Sequence, residues 1–270
     1  MITLKTRQQL DQIILNGKIL REAADKAASA TYPGMTTLDL DKIIEDHILS
    51  CDATPTFKGY GGHRSRTAFP RASCISVNSV LVHGIPGPLK IGDGDIISID
   101  IGVSKNGMIA DSCFSYGVGS VSEDNLRLLK AARDITMYGI EIAKPGIRIH
   151  DLAAKVAEYA ESLGYITMPD LYGHGLGTLL HEKPTIPFTR KNLFREPIPN
   201  PRLEEGMVIT IEPVIALLSC NHKYTEDSDN WALRTSDGSW SAQFEHDIAI
   251  TSTGSEILTQ PFPSKLIFGI

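Results

Sequence analysis

Two carboxylates in this chain end apolar, β-branched runs: Asp100 closes Ile-Ile-Ser-Ile-Asp and Glu212 closes Val-Ile-Thr-Ile-Glu. A carboxylate carried into such a run leaves bulk water, and without a cation partner it costs several kcal/mol or takes up a proton. Asp111 follows Asp100 by eleven residues, and a hairpin turn at Lys105-Asn106-Gly107 returns it beside Asp100 on a neighbouring strand. Adjacent carboxylates repel unless they share a cation. Glu245, in Gln-Phe-Glu-His-Asp-Ile-Ala-Ile, also enters an apolar strand. His174 stands in Tyr-Gly-His-Gly-Leu-Gly, where glycines let a ligand or metal approach the backbone closely. Asp100, Asp111, His174, Glu212 and Glu245 together offer four anionic groups and one imidazole. Two divalent cations balance four carboxylates, and a pair roughly 3.5–4 Å apart is a recurring hydrolytic arrangement. The oxygen-rich set favours Mn, Fe or Co, and affinity order does not exclude Zn.

His83, in Leu-Val-His-Gly-Ile-Pro, and His181, in Leu-Leu-His-Glu-Lys-Pro, are further candidates for work on a substrate. His181-Glu182 begins like a zincin HExxH, but position 185 is Thr, so that reading fails. His47, His63, His150, His222 and His246 occupy polar or helix-cap settings and are assigned no role. There is no G-x-S-x-G elbow, P-loop or G-x-G-x-x-G. The four cysteines, Cys51, Cys74, Cys113 and Cys220, form no CxxC pair and read as reduced thiols, neither a disulfide framework nor a zinc site.

The elements that must position these groups follow from periodicity. Thr6 with Gln9 makes a capping box, and Leu10, Ile13, Ile14, Leu20 and Ala23 continue at helical spacing up to Pro33-Gly34. Further helices are expected from about Thr37, over Ser122–Ala143 and over Asp151–Leu163. Residues 54–72 read as a loop. Strands are expected at 74–78, 96–103, 108–116, 208–213, 214–218 and 243–251. The layout repeats: Pro33-Gly34, Asp39-Leu40 and the Gly94–Asp100 run recur 112 residues on as Pro145-Gly146, Asp151-Leu152 and Gly206–Glu212. Solenoid repeats recur at roughly 20–50 residues, so this spacing points to duplicated half-domains. The expectation is an α/β (α+β) chain, one domain of two similar halves about a pseudo-dyad.

Composition sets the frame. The chain has 270 residues, 42% hydrophobic and 21% charged, with 26 basic against 32 acidic side chains and a net charge of −6. That balance argues against direct nucleic-acid recognition. No apolar run reaches the roughly 18 residues of a membrane span, and the first twenty residues do not read as a signal peptide. The expectation is a cytoplasmic enzyme.

Ile-Asp100 with Asp111, Gly-His174-Gly-Leu-Gly, Thr-Ile-Glu212-Pro and Phe-Glu245-His, with Val-His83-Gly-Ile-Pro, Leu-His181-Glu and Cys74-Ile-Ser-Val-Asn78, resemble the type I methionine aminopeptidases in their short bacterial form. The resemblance runs from about residue 4 to 259. It implies the pita-bread fold with internal pseudo-twofold symmetry, a single catalytic domain over 1–270, and halves of roughly 4–118 and 119–259. It implies removal of the initiator methionine from nascent polypeptides whose second residue is small, by attack of a metal-bridging hydroxide. Two divalent ions (Co, Mn, Fe or Zn) would sit on Asp100, Asp111, His174, Glu212 and Glu245, with Asp111 and Glu245 bridging and Glu212 shuttling a proton. His83 would face the leaving nitrogen, His181 the developing oxyanion, and Tyr60 and Trp231 the methionine side chain. The implied partners are nascent N-termini and, transiently, the ribosome; a monomer is expected because the sequence shows no obvious apolar surface helix.

Three positions depart from the family pattern. His63–Phe69 intervene between Gly59-Tyr60-Gly61-Gly62 and Pro70, Leu180 replaces a common aromatic, and Phe57 replaces a common Cys. The basic loop His63–Arg71 reads as solvated rather than as a ribosome contact. The alternatives are a same-fold X-Pro aminopeptidase or dipeptidase and a non-catalytic pita-bread binding protein.

Overall fold

The computed structural model describes residues 1–61, 67–190, 194 and 196–260. Two helix pairs dominate it: α1 (Arg7–Ala30) with α2 (Thr37–Ser50), and α3 (Glu123–Ile142) with α4 (Ile149–Ser162). The expected Thr6/Gln9 capping box starts α1, and Ile13, Leu20, Ala23, Ala24 and Ala27 form its buried face. The alanines on that face let α1 pack closely on α2 and on the first sheet.

Before α3 run β1 (Thr54–Pro55), β2 (Ser73–Val77), β3 (Val80–Val82), β4 (Ile96–Lys105) and β5 (Met108–Gly117). After α4 run β6 (Tyr165–Thr167), β7 (Gly173–Gly175), β8 (Glu182–Ile186), β9 (Val208–Ile211) and β10 (Val214–Leu217). The last strands are β11 (Tyr224–Glu226), β12 (Leu233–Thr235), β13 (Ser241–Gln243), β14 (His246–Ile250) and β15 (Ser255–Ile257). β4 is flanked by β2, β5 and β1 in one sheet, and β15-β14-β9-β7-β8 make another. Two three-stranded sheets, β13-β10-β6 and β11-β12-β3, complete the set among the described residues.

The 112-residue offset holds in the backbone hydrogen bonds. Gly34 N donates to Ile91 O at 2.7 Å, and Gly146 N to Leu203 O at 2.8 Å. Ile91 N donates to Met35 O and Leu203 N to Ile147 O, both at 2.9 Å. The isolated bridges Thr36↔Lys90 and Arg148↔Arg202 obey the same offset. Gly94 and Gly206 both take left-handed φ, 89° and 87°, just before β4 and β9.

Two strand expectations change. The run expected over 243–251 divides into β13 and β14, because Glu245 N leaves both ladders and donates to Cys113 O at 2.8 Å. The chain thus crosses from the β10 sheet to the β9 sheet at Phe244-Glu245, where both touch β5. The loop over 54–72 contains the two-residue β1, paired with Ser104 and Val103. One large core runs through both halves, with a smaller apolar cluster around Leu81, Met168 and Val214.

Candidate active site

The β4–β5 hairpin does what the spacing predicts. Asn106 and Gly107 form the turn in left-handed conformations, φ 53° and 74°. Asp111 lies opposite Gly102 and Asp100 opposite Cys113. The two carboxylates are therefore diagonal neighbours on one face of the sheet. Glu245 enters beside them through its own N–H bond to Cys113, and Ser112 Oγ donates to Glu245 O at 2.5 Å. His174 in β7 and Glu212 at the end of β9 come from the opposite sheet. His174 Nε2 stands 3.8 Å from Asp111 Oδ2 and 3.6 Å from Glu212 Oε1. The five residues expected from sequence thus meet at one place, in the wall of a cavity of about 480 Å3.

Burial sets their electrostatics. Asp100 is pushed up to about 7 and Glu212 to about 8, chiefly by desolvation. Asp111 and Glu245 are also raised well above ordinary carboxylate values, by burial first and then by neighbouring charges: Asp100, Asp247 and Glu212 on Asp111, and Glu212, Asp111 and Asp100 on Glu245. Burial lowers His174 to about 3, so its ring is neutral. Its Nδ1 lies 3.0 Å from Gly175 O, an acceptor, so Nδ1 carries the proton and Nε2 presents a lone pair to the carboxylates. Asp100 Oδ1, Asp111 Oδ1 and Glu245 Oε1 are buried without a hydrogen-bond partner. Ligand atoms of Asp111, His174 and Glu245 all lie within 4.8 Å of one another. Carboxylates buried unpaired need protons or metal ions to balance them, and the arrangement fits divalent cations.

The sequence did not single out the residues that hold these side chains. Thr210 Oγ1 donates to Glu212 Oε1 at 2.7 Å and accepts from His174 N at 2.9 Å. Gln243 Nε2 donates to Glu212 Oε2 at 3.2 Å. Asp247 Oδ2 accepts from Asp111 N at 2.9 Å. Thr210 carried a signal, since it sits two residues before Glu212 and so faces the same side of the strand. Gln243 and Asp247 lie far from their partners in sequence and carried none.

The other expected residues line the same cavity. His83 adopts φ 58°, followed by Gly84, whose absent side chain leaves room for Ile75 O, 2.3 Å from where a Cβ would stand. The His83 ring meets Trp231 edge-on at 6.2 Å, and Phe69 meets Trp231 at 5.2 Å. Trp231 Nε1 donates to Thr67 O, leaving its ring as apolar wall. Tyr60 Oη lies 2.5 Å from His181 Nδ1, and the His181 ring stands 4.2 Å from His174. The Glu182 carboxylate turns away from HExxH chemistry. It pairs with Lys5 at 2.6 Å and accepts from Thr178 N and Leu179 N, which pins the turn carrying His181. Phe57 and Leu180 both border the cavity, where the two departures could offset each other in volume. Phe69 is tied to Gly59 and Tyr60 by backbone hydrogen bonds. His63, Arg64 and Arg66 of the expected basic loop lie outside the described residues.

Buried carboxylates and a neutral imidazole gathered beside an aromatic-walled cavity define a metal-dependent hydrolase site. The model of metallopeptidase family M24 matches residues 12–252, and the chain belongs to that family. It is 40% identical to methionine aminopeptidase 1 of Bacillus subtilis over 261 residues, covering 96% of this chain and 100% of that protein. The crystal structure of methionine aminopeptidase from Rickettsia prowazekii superimposes with a TM-score of 0.88 at 33% identity, covering 96% of this chain and all of that one. A prolidase from Pyrococcus furiosus shares the pita-bread fold, with a TM-score of 0.72, but at 23% identity the likeness shows the fold alone. Among the described residues no helix is long and apolar enough to cross a membrane.

Proposed function

We infer that this chain is a methionyl aminopeptidase, a metallo-exopeptidase that removes the initiator methionine from nascent polypeptides whose second residue is small. One observation carries the reading: a single cavity joins the carboxylate–imidazole cluster to a wall of Trp231, Phe69 and Tyr60. Full-length likeness to methionine aminopeptidases favours it over the X-Pro and binding-protein alternatives.

Asp100, Asp111, His174, Glu212 and Glu245 would hold two divalent ions. Bound there, the ions supply Lewis-acid polarisation of the scissile carbonyl and an activated water. Co, Mn, Fe and Zn are the candidate ions. The remaining steps belong to the chain. Trp231, Tyr60 and their neighbours bury the methionine thioether, which packs well on rings. Tyr60 donates its hydroxyl proton to His181 Nδ1, leaving Nε2–H to donate to the developing oxyanion. Burial lowers the His181 pKa and so favours this neutral form. Glu212, its two oxygens steadied by Thr210 and Gln243, takes a proton from the attacking water and passes it to the departing amine. His83 faces that leaving nitrogen.

The unit is one catalytic domain over 1–270 with pseudo-repeat halves of roughly 4–118 and 119–259. It acts in the cytoplasm as a monomer on nascent N-termini, with transient ribosome contact and no direct nucleic-acid recognition. The test is peptide hydrolysis by chelator-stripped protein with Mn, Fe, Co or Zn restored singly. Metal-dependent release of Met from Met-Ala-Ser, not from Met-Leu-Ser, and its loss in Asp100→Asn, is the expected result. Cleavage of Ala-Pro-Ser instead, or no turnover with any metal, overturns the reading.

A further inference from the structure

Away from the central cavity, three side chains of different ligand chemistry converge on the α1–α2 pair. Glu22 comes from α1, His47 from the last turn of α2, and Cys51 is the residue that closes α2. His47 and Cys51 are four residues apart, so one turn of helix stacks them on a common face. His47 Nε2 lies 3.3 Å from Glu22 Oε2 and 3.8 Å from Cys51 Sγ. One ligand atom from each of the three lies within 4.8 Å of the other two. With Zn–N and Zn–O near 2.0–2.2 Å and Zn–S near 2.3 Å, neighbouring ligand atoms of a tetrahedral zinc are about 3.3–3.6 Å apart. The two separations from His47 need to change by only a few tenths of an ångström at most. We propose that Glu22, His47 and Cys51 form a zinc-binding site that staples α1 to α2, with water as the fourth ligand.

The surroundings prepare the imidazole. Its side chain is 6% exposed, and burial lowers its pKa, so it is neutral and able to coordinate. Lys26 Nζ stands 2.8 Å from Nδ1. An ammonium donates there, which places the ring proton on Nε2, between Glu22 and Cys51. That proton fills the position a metal takes. Lys26 is exposed and can swing into water. Zinc entry then moves the ring proton from Nε2 to Nδ1, and the Cys51 thiol releases one proton to solvent, with no change of oxidation state. Thiolate, imidazole and carboxylate together suit zinc or cobalt(II) better than the harder ions that an oxygen-rich centre accepts. Absence of a CxxC pair had argued against a zinc site. Here the ligands come from two helices, so no single short motif encodes them.

The test uses cobalt(II) as a coloured stand-in, titrated into the chelator-stripped full chain. A Cys51 thiolate ligand gives a near-ultraviolet sulfur-to-cobalt charge-transfer band that oxygen and nitrogen ligands do not give. The band is expected in the unaltered chain and in Asp111→Asn, and zinc(II) should bleach it. It should vanish in Cys51→Ser and weaken at least tenfold in apparent affinity in Glu22→Gln. Lys26→Gln removes a competing cation and should tighten cobalt binding several-fold. Thermal unfolding of metal-free Cys51→Ser at the same temperature as the parent shows that the fold is intact. Absence of the band from the unaltered chain, its survival in Cys51→Ser, or its loss in Cys74→Ser alone would overturn the proposal, the last by placing the thiolate in the central cavity.

Discussion

The two halves begin alike and then part. In the first, β4 runs ten residues, turns through Asn106-Gly107, and brings Asp111 straight back beside Asp100. In the second, β9 is four residues long, Glu212 follows it directly, and the next carboxylate of the site, Glu245, arrives 33 residues later (245 − 212). That excursion through β10, β11, β12 and β13 carries Trp231 to the cavity wall and Gln243 to Glu212. The shared part of each half places a carboxylate fifth in a buried run, Asp100 inside β4 and Glu212 directly after β9. The unshared part shapes the space beside it. The repeat thus accounts for one carboxylate in each half, whereas Asp111, His174, Glu245 and Trp231 come from what the halves do not share.

The sharpest way to break this comparison is to remove the carboxylate contributed by the short return. Asp111→Asn should lower kcat/KM by about 10^3-fold, corresponding to about 4 kcal/mol of transition-state stabilisation. Metal content, measured on the purified protein, should fall with it. Glu245→Gln should match, although its carboxylate arrives by the long route. A much milder Glu245→Gln would mean that the halves do not contribute equally to the centre.

Protons provide the next test. In the metal-free folded chain burial pushes Asp100 up to about 7 and Glu212 to about 8, against ordinary values of 3.8 and 4.5. Raised carboxylates favour the fold below their ordinary pKa and lose that contribution as pH rises through the folded value. His174, lowered to about 3, acts oppositely but only below its ordinary value of 6.5. Between about pH 6.5 and 8 the carboxylates therefore govern. The urea midpoint of chelator-treated protein should fall across that window, by up to about 1.4 kcal/mol per pH unit for each group still holding its proton. Saturating Mn should flatten the fall, since the ions replace the protons.

Smaller effects separate the halves at corresponding positions. Thr210 and Ser98 are 112 residues apart, each two residues before its strand's carboxylate. Thr210 holds Glu212, whereas Ser98 Oγ bonds Ser115 Oγ at 2.6 Å. Thr210→Val should cost about 10–100-fold in metal affinity or activity. Ser98→Ala should leave both near the parent value. Trp231→Ala should raise KM about tenfold for methionyl peptides with metal binding unchanged, because only the unduplicated wall is altered.

How much was legible in the sequence follows the same division. The helices, the β4–β5 hairpin and the gathering of the five candidate residues could be read because the Thr6/Gln9 capping box, the apolar periods and the Asn-Gly turn are local signals and the 112-residue repeat is visible in the sequence itself. β3, β6, β7, β8, β11, β12 and β15 were not foreseen. They are three to five residues long, too short for a period to emerge, and tertiary pairing defines them. The break at Phe244-Glu245 was missed for a related reason. A continuous stretch with no Gly or Pro conceals a change of sheet when the hydrogen-bond partner, Cys113, lies 132 residues away (245 − 113). The partners of Glu212 and Asp111 were hidden likewise, since Gln243 and Asp247 carry no spacing that links them to those carboxylates.

The smallest expected effect tests whether the helix starts of the halves are energetically interchangeable. Thr36 caps α2, its Oγ1 accepting from Asp39 N at 3.1 Å while the Asp39 carboxylate accepts from Thr36 N. The corresponding residue of α4 is Arg148, which makes no side-chain cap bond, although Asp151 stands ready at the third helical position. Thr36→Ala should therefore cost about 1 kcal/mol. Arg148→Thr should complete the missing box and add up to about 1 kcal/mol, less what is lost with the exposed bond from Arg148 Nη1 to Asn200 O. Urea midpoints at unchanged m-value measure both. A loss in Arg148→Thr as large as that in Thr36→Ala would show that Arg148 holds 148–202 through its long-range bond, so that equivalent backbone in the two halves is secured by different side chains.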